Sequence, residues 1–154
     1  MIKHSFLLTA VLMLLLGCGG TDEQVQMASV GKTWPKNSWQ KFEFNITEAQ
    51  QPKNIIFVVR NNNDYPYSNI RLIVKAMGPN KFAATDTLNY ILAEPNGRWL
   101  GAGFGETKET LFQYKLHQRF PADGTYSFQV QQAMRMDSLP GIEDIGIKIE
   151  TAAP

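Results

Sequence analysis

From Trp39 onward, apolar and polar side chains alternate with a period of two. Phe42, Phe44 and Ile46 are separated by Glu43 and Asn45, which places the apolar set on one face of an extended strand. The β-branched run Asn54 to Arg60 lies between Gln51-Pro52 and Asn61-Asn62-Asn63-Asp64 and predicts a central strand covered on both faces. Ile70, Leu72, Val74 and Ala76 alternate with Arg71 and Lys75 until Gly78-Pro79-Asn80 closes the segment as a turn. A further strand is expected over about Phe82 to Ala93, ending at Pro95-Asn96-Gly97, with Arg98 to Leu100 returning as its partner across an Asn-Gly hairpin turn. Thr125 to Met134 and Ile145 to Glu150 complete the set, the latter alternating three isoleucines with Gly146, Lys148 and Glu150.

One segment is ambiguous. Within Thr107 to Phe120, Leu111, Tyr114 and Gln118 fit a helix, while Phe112, Tyr114 and Leu116 fit a strand. Strand is favoured because every neighbouring element is one. About eight short strands separated by turns imply an all-β fold, an antiparallel β-sandwich of the jelly-roll or C2-like kind.

The first residues follow a different pattern. A short basic head, Met1 to His4, precedes an almost unbroken apolar run from Phe6 to Leu16, the length of a signal-peptide core and too short to span a bilayer. The run ends in Leu15-Leu16-Gly17-Cys18, which looks like a bacterial lipobox cut before the chain's only cysteine. Residues 1–17 are therefore read as a lipoprotein signal peptide, Cys18 as the lipid attachment site, 18–36 as a lipidated N-terminus and flexible tether, and 37–154 as the sandwich. Each buried CH₂ contributes about 0.8 kcal/mol, so three acyl chains on Cys18 make membrane attachment effectively permanent. Gly19 does not resemble an inner-membrane retention signal, which favours the outer membrane, on either its periplasmic or its surface face.

Charge and composition remove several functions from consideration. Without Lys3 the chain carries 14 basic and 14 acidic residues, so no basic stripe is expected and nucleic acid is not a partner. With Cys18 acylated, no thiol remains for a disulfide or metal. His117 is the only imidazole left after cleavage and lacks a Gly-x-Ser-x-Gly companion, so it is read as a strand histidine and no catalytic residue is assigned. Glu143 and Asp144 are sequence neighbours and would point to opposite faces, while Asp64, Asp86, Asp123 and Asp137 are too dispersed for a cation site. No metal or other cofactor is implied.

The glycines of "GRWLGAGFGE", residues 97–106, raise the possibility of a phosphate cradle, but the stretch follows a hairpin turn and Glu106 stands where a third glycine would fall. Gly101, Gly103 and Gly105 instead predict an edge, a bulge or a close backbone approach. Trp34, Trp39 and Trp99, with Tyr65 and Tyr67, are candidate sugar-stacking rings and equally candidate core or interface anchors, Trp99 being expected in the core. Asp86-Thr87-Leu88 and Asp137-Ser138-Leu139 fit an O-glycosylation pattern of exported Bacteroidetes proteins, with Thr87 and Ser138 as acceptors.

Three longer blocks are more specific: "RNNNDYPYSNIRL" from Arg60, "GRWLGAGFG" from Gly97, and "GTYSFQVQQAMRMDSLPGIEDIGIKIE" from Gly124. Together with the lipobox they resemble the gliding motility lipoprotein GldH family of Bacteroidetes over nearly the whole mature domain. The resemblance implies a noncatalytic, lipid-anchored envelope protein acting through other gliding proteins, in machinery linked to type IX secretion. A partner surface is expected around Arg60, Tyr65, Tyr67 and Arg135, since aromatic and Arg side chains carry most interface energy. The alternative, a glycan-binding sandwich, would use Trp99 and the tyrosines as its platform.

Overall fold

The computed structural model describes residues 22–153, which form ten strands. These are β1 (Glu23–Ser29), β2 (Thr33–Pro35), β3 (Gln40–Ile46), β4 (Lys53–Asn61), β5 (Asn69–Met77), β6 (Ala83–Ile91), β7 (Lys108–Gln118), β8 (Gly124–Gln132), β9 (Ser138–Pro140) and β10 (Ile142–Thr151). Two four-stranded sheets, β1-β10-β4-β7 and β3-β8-β5-β6, are accompanied by the short pair β2-β9, and every pairing is antiparallel. The all-β antiparallel architecture matches the expectation. Cys18 and the segment 1–17 lie outside the described residues.

The alternation written in the chain becomes the core. Ile55, Phe57 and Val59 of β4 and Ile145, Ile147 and Ile149 of β10 point inward from one sheet; Phe44, Ile70, Leu72, Val74, Phe128 and Val130 face them from the other. All are buried, which supplies the main driving force for closing the two layers. β4 is central, between β10 and β7; Val58 on its outer face is buried, but Asn54, Ile56 and Arg60 on that face are only half-buried, so full coverage is confined to the core side. Within Thr107 to Phe120 the strand β7 forms, because it pairs with β4 from Asn61↔Lys108 to Lys53↔Gln118 and alternates its exposure from Thr110 to Tyr114.

Two seams join the sheet edges. On one side the side-chain amide of Gln24 donates to the Asn45 carbonyl at 2.9 Å, and Gln26 exchanges hydrogen bonds with the backbone of Glu43. On the other, Tyr90 stacks on Phe112 with ring centroids 4.4 Å apart and an 11° interplanar angle. There the Tyr114 hydroxyl also donates to Asp86 at 2.6 Å, and Lys115 lies 3.2 Å from the same carboxylate. Both seams shield strand edges that would otherwise offer unpaired backbone to other chains.

The stretch expected to be a flexible tether through residue 36 differs most. β1 pairs with β10 from Glu23↔Glu150 to Ser29↔Asp144, and Trp34 of β2 is wholly buried, its indole N–H donating to the Ser38 carbonyl at 2.9 Å. No apolar periodicity announced β1 because its inward positions are Gln24, Gln26 and Ala28, while Val25 and Met27 face outward. Its inner side reaches the backbone of β3, where amides serve better than methyl groups. Arg98 to Leu100 forms only an isolated bridge, Ala93↔Trp99, instead of a partner strand, although the hairpin turn is present: Glu94 N–H donates to the Arg98 carbonyl at 2.8 Å.

Candidate functional site

The strand directions bring the loops 30–39, 61–68, 92–107 and 133–141 to one end of the sandwich and 47–52, 78–82 and 119–123 to the other. Family-like blocks that are far apart in sequence thus meet at the first end. Tyr65, Tyr67 and Trp99 form a chain of rings there, with Tyr65–Tyr67 centroids 5.9 Å apart and Tyr65–Trp99 6.3 Å. One of the three is buried and two are half-buried.

Tyr65 was expected on a surface and is instead only 3% exposed. Its hydroxyl donates to the Asn69 carbonyl at 2.7 Å, and burial pushes the phenol well above its ordinary pKa. Gly141 makes the burial possible: it has φ of 79°, and a Cβ there would lie 2.1 Å from the Tyr65 nitrogen. Tyr67 is half-buried. Trp99, expected in the core, packs against it but is also only half-buried, its indole N–H donating to Asn63 Oδ1 at 3.0 Å.

Arg60 is likewise committed internally. It projects from the outer face of the β4 sheet, donates from Nε to Glu109 Oε2 at 2.7 Å, and has Nη1 3.5 Å from Asp144, so it does not join the loop end as a free cation. The bond it donates to Glu109 holds its pKa above even the ordinary arginine value. Arg135 is exposed as expected.

Arg135 borders a groove of about 310 Å³ that also takes in Tyr67, Asn69, Arg71, Ala133 and Met134. The frame behind this groove is tightly bonded. Ala133 N–H donates to the Arg71 carbonyl at 2.8 Å, and the Arg71 N–H points at the Met134 sulfur at 3.2 Å. Buried Gln132 then receives the Met134 N–H at 2.8 Å and donates to the Met136 carbonyl at 3.0 Å and the Trp34 carbonyl at 3.4 Å. Trp34 therefore serves this end as a structural anchor. Among the described residues, arginine ion pairs are those of Arg60 and Arg98, so Arg71, Arg135 and the distant Arg119 have no carboxylate partner among these residues. The groove lining contains no carboxylate.

Arg71 carried no special signal in the sequence beyond its outward phase on a strand. Its nearness to Arg135, 64 positions later, depends on the β5–β8 pairing, whose Leu72↔Gln132 register places the two segments side by side.

The remaining candidates are dispersed. His117 is exposed near the opposite end with φ of 52°, where the β4–β7 register slips, and its backbone N–H donates to Asn54 Oδ1 at 3.1 Å. Glu143 accepts from Asn62 at 3.0 Å and Thr107 at 2.7 Å, while Asp144 turns to Arg60, which matches their expected divergence. Among the described residues no three His, Cys, Asp or Glu side chains are grouped to hold a metal. Gly101 does mark a close backbone approach: a Cβ there would stand 2.8 Å from the Glu109 carbonyl oxygen. Beyond it, Phe104 is fully exposed at the loop tip. Trp39 lies beneath the Lys75 ammonium, 4.6 Å from its ring centroid. Thr87 and Ser138 both occupy exposed strand positions.

The family model described as GldH lipoprotein matches residues 23–149. The gliding motility lipoprotein GldH of Flavobacterium johnsoniae is 34% identical over 156 residues, covering 97% of each chain. A GldH homolog of Christiangramia forsetii is 40% identical over 124 residues, 76% of each chain. Among solved structures, dimeric latent PorU from Porphyromonas gingivalis aligns with a TM-score of 0.35 and 6% identity over 87% of this chain and 14% of that one, a likeness too low to carry any argument. On the family match and the extent of these two relationships, the chain belongs to the GldH family of gliding motility lipoproteins.

Proposed function

We propose that this protein is a noncatalytic lipoprotein of the cell envelope, anchored through Cys18, that works by protein contacts within the gliding machinery linked to type IX secretion. Its relatives' names supply the gliding context. The observation that carries the contact role is the convergence at one end of Tyr65, Trp99 and the 133–141 loop, drawn from three separate blocks of the sequence.

The attachment geometry supports the same reading. Asp22 accepts from the buried Lys53 amine at 3.3 Å, which fixes the start of β1 at the end opposite the groove. Cys18 precedes Glu23 by five positions, and an extended chain spans at most about 3.6 Å per residue, so the lipid lies no more than about 18 Å from the sandwich. The groove end then faces away from the bilayer, where an envelope partner can reach it. An outer-membrane location is part of this proposal.

The test is co-purification from detergent-solubilised membranes, comparing the native chain with Arg135→Gln and Tyr67→Ala. Specific envelope partners that accompany the native chain and are lost from the variants support the reading. Recovery of the native chain with no specific partner overturns it. Lipid labelling with Cys18→Ser as control tests the anchor: label is expected to vanish, and persistent membrane attachment of that variant would contradict the assignment.

A further inference from the structure

We infer that the groove between Arg71 and Arg135 docks an acidic segment of a protein partner, whose carboxylates meet the two guanidinium groups. This rests on the reading that the chain works through protein contacts, and adds the chemistry of the contact. Positive and negative residues balance over the whole mature chain, so the basic character here is local. Of the other three arginines, Arg60 is matched by Glu109 and Asp144 and Arg98 by Glu94 at 2.6 Å, while Arg119 lies apart at the opposite end. At the groove it supplies two arginines and no acid.

The setting suits a polypeptide better than a lone ion. A hollow of about 310 Å³ exceeds the volume of one carboxylate, and Tyr67 and Met134 add a ring and a thioether to its lining. Arg forks bind carboxylates bidentately, with stronger bonds than neutral groups make. The backbone beneath both arginines is already fixed by Ala133, Met134 and Gln132, so little ordering is required when a ligand arrives. Asn69 is held too, its amide donating to Asn89 Oδ1 at 2.6 Å.

The probe is a fluorescein-labelled octaglutamate peptide, titrated by anisotropy into the full-length lipoprotein in non-ionic detergent. Saturable binding is expected, weakening with salt, and each of Arg71→Gln and Arg135→Gln should reduce affinity about tenfold, the scale of one lost charge-assisted contact. Arg119→Gln, an exposed arginine at the opposite end, should leave binding unchanged. Urea midpoints equal to that of the native chain show that the groove variants remain folded. Absence of saturable binding, or equal binding by both groove variants, overturns the inference. Preferential displacement of the peptide by polygalacturonate also overturns it, by making an anionic glycan the ligand. If envelope partners co-purify equally with native and groove variants, only the acidic-segment inference fails; if none accompanies the native chain, the contact function itself fails.

Discussion

The two ends of the sandwich are built on different terms. At the end where Asp22 enters, loop side chains tie the turns together: Asp123 accepts the Ala49 N–H at 2.7 Å, and Gln50 donates to the Phe120 carbonyl at 3.0 Å. Phe120 and Tyr126 plug the layers there, their centroids 4.6 Å apart, with the Tyr126 hydroxyl donating to the Ala122 carbonyl at 2.8 Å. The opposite end buries Trp34 and Tyr65 just as firmly, yet leaves Arg71, Arg135, Leu100 and Phe104 in solvent. A rigid frame carrying two unpaired arginines on one groove is what a contact surface requires, and this end supplies it.

Substitutions can break this contrast, beginning with the largest effect. Tyr126→Ala removes the plug of the closed end and is expected to cost about 3–5 kcal/mol in urea unfolding, as buried aromatic truncations do. Gly141→Ala drives a Cβ into the Tyr65 backbone and should cost roughly 2 kcal/mol or more, since the native φ disfavours alanine and the contact leaves no room. Its second consequence distinguishes the ends: Tyr65 should become more accessible, read as increased quenching of tyrosine and tryptophan fluorescence by acrylamide. Asp123→Ala strands the Ala49 N–H and is expected to cost about 1 kcal/mol without affecting partner recovery. At the far end, Arg71→Gln with Arg135→Gln should change stability by less than about 0.5 kcal/mol, because exposed side chains without internal partners contribute little to folding. A large stability loss there would show that the arginines are structural and erase the contrast.

The Tyr114–Asp86–Lys115 seam belongs to neither end and sets a pH dependence of its own. The Tyr114 hydroxyl, and then Lys115, hold the Asp86 carboxyl below its ordinary value of 3.8. A pKa lowered by folding means that this contribution is complete above the unfolded value and disappears as pH falls through the folded one. The Tm difference between the native chain and Asp86→Asn should therefore shrink as pH drops below about 4. A difference that stays constant from pH 7 to 3 would place the acid sensitivity elsewhere.

Core strands were legible because burial on one side imposes period two, and β3, β5, β8 and β10 carry that pattern plainly. β7 required its partner, since Leu111, Leu116 and Phe112 leave apolar groups on both faces. β1 was illegible for the converse reason: an edge strand that meets another sheet through glutamine amides has no apolar inner face to display. Among the candidate site residues, chemistry alone offered Tyr67 and Arg135 as candidate contact residues, and the structure leaves both at least partly exposed, with Trp99 half-buried. Chemistry could not reveal that Tyr65 is covered by Gly141 or that Arg60 is matched by Glu109.

Local residue types and their spacing thus determined that this protein is an antiparallel β fold, and the three blocks determined its family. Only the tertiary structure decided which polar groups are spent and which remain free. That distinction depends on strand register across residues more than 60 positions apart, where one pairing gives Arg60 two carboxylates and another sets Arg71 beside Arg135 with none.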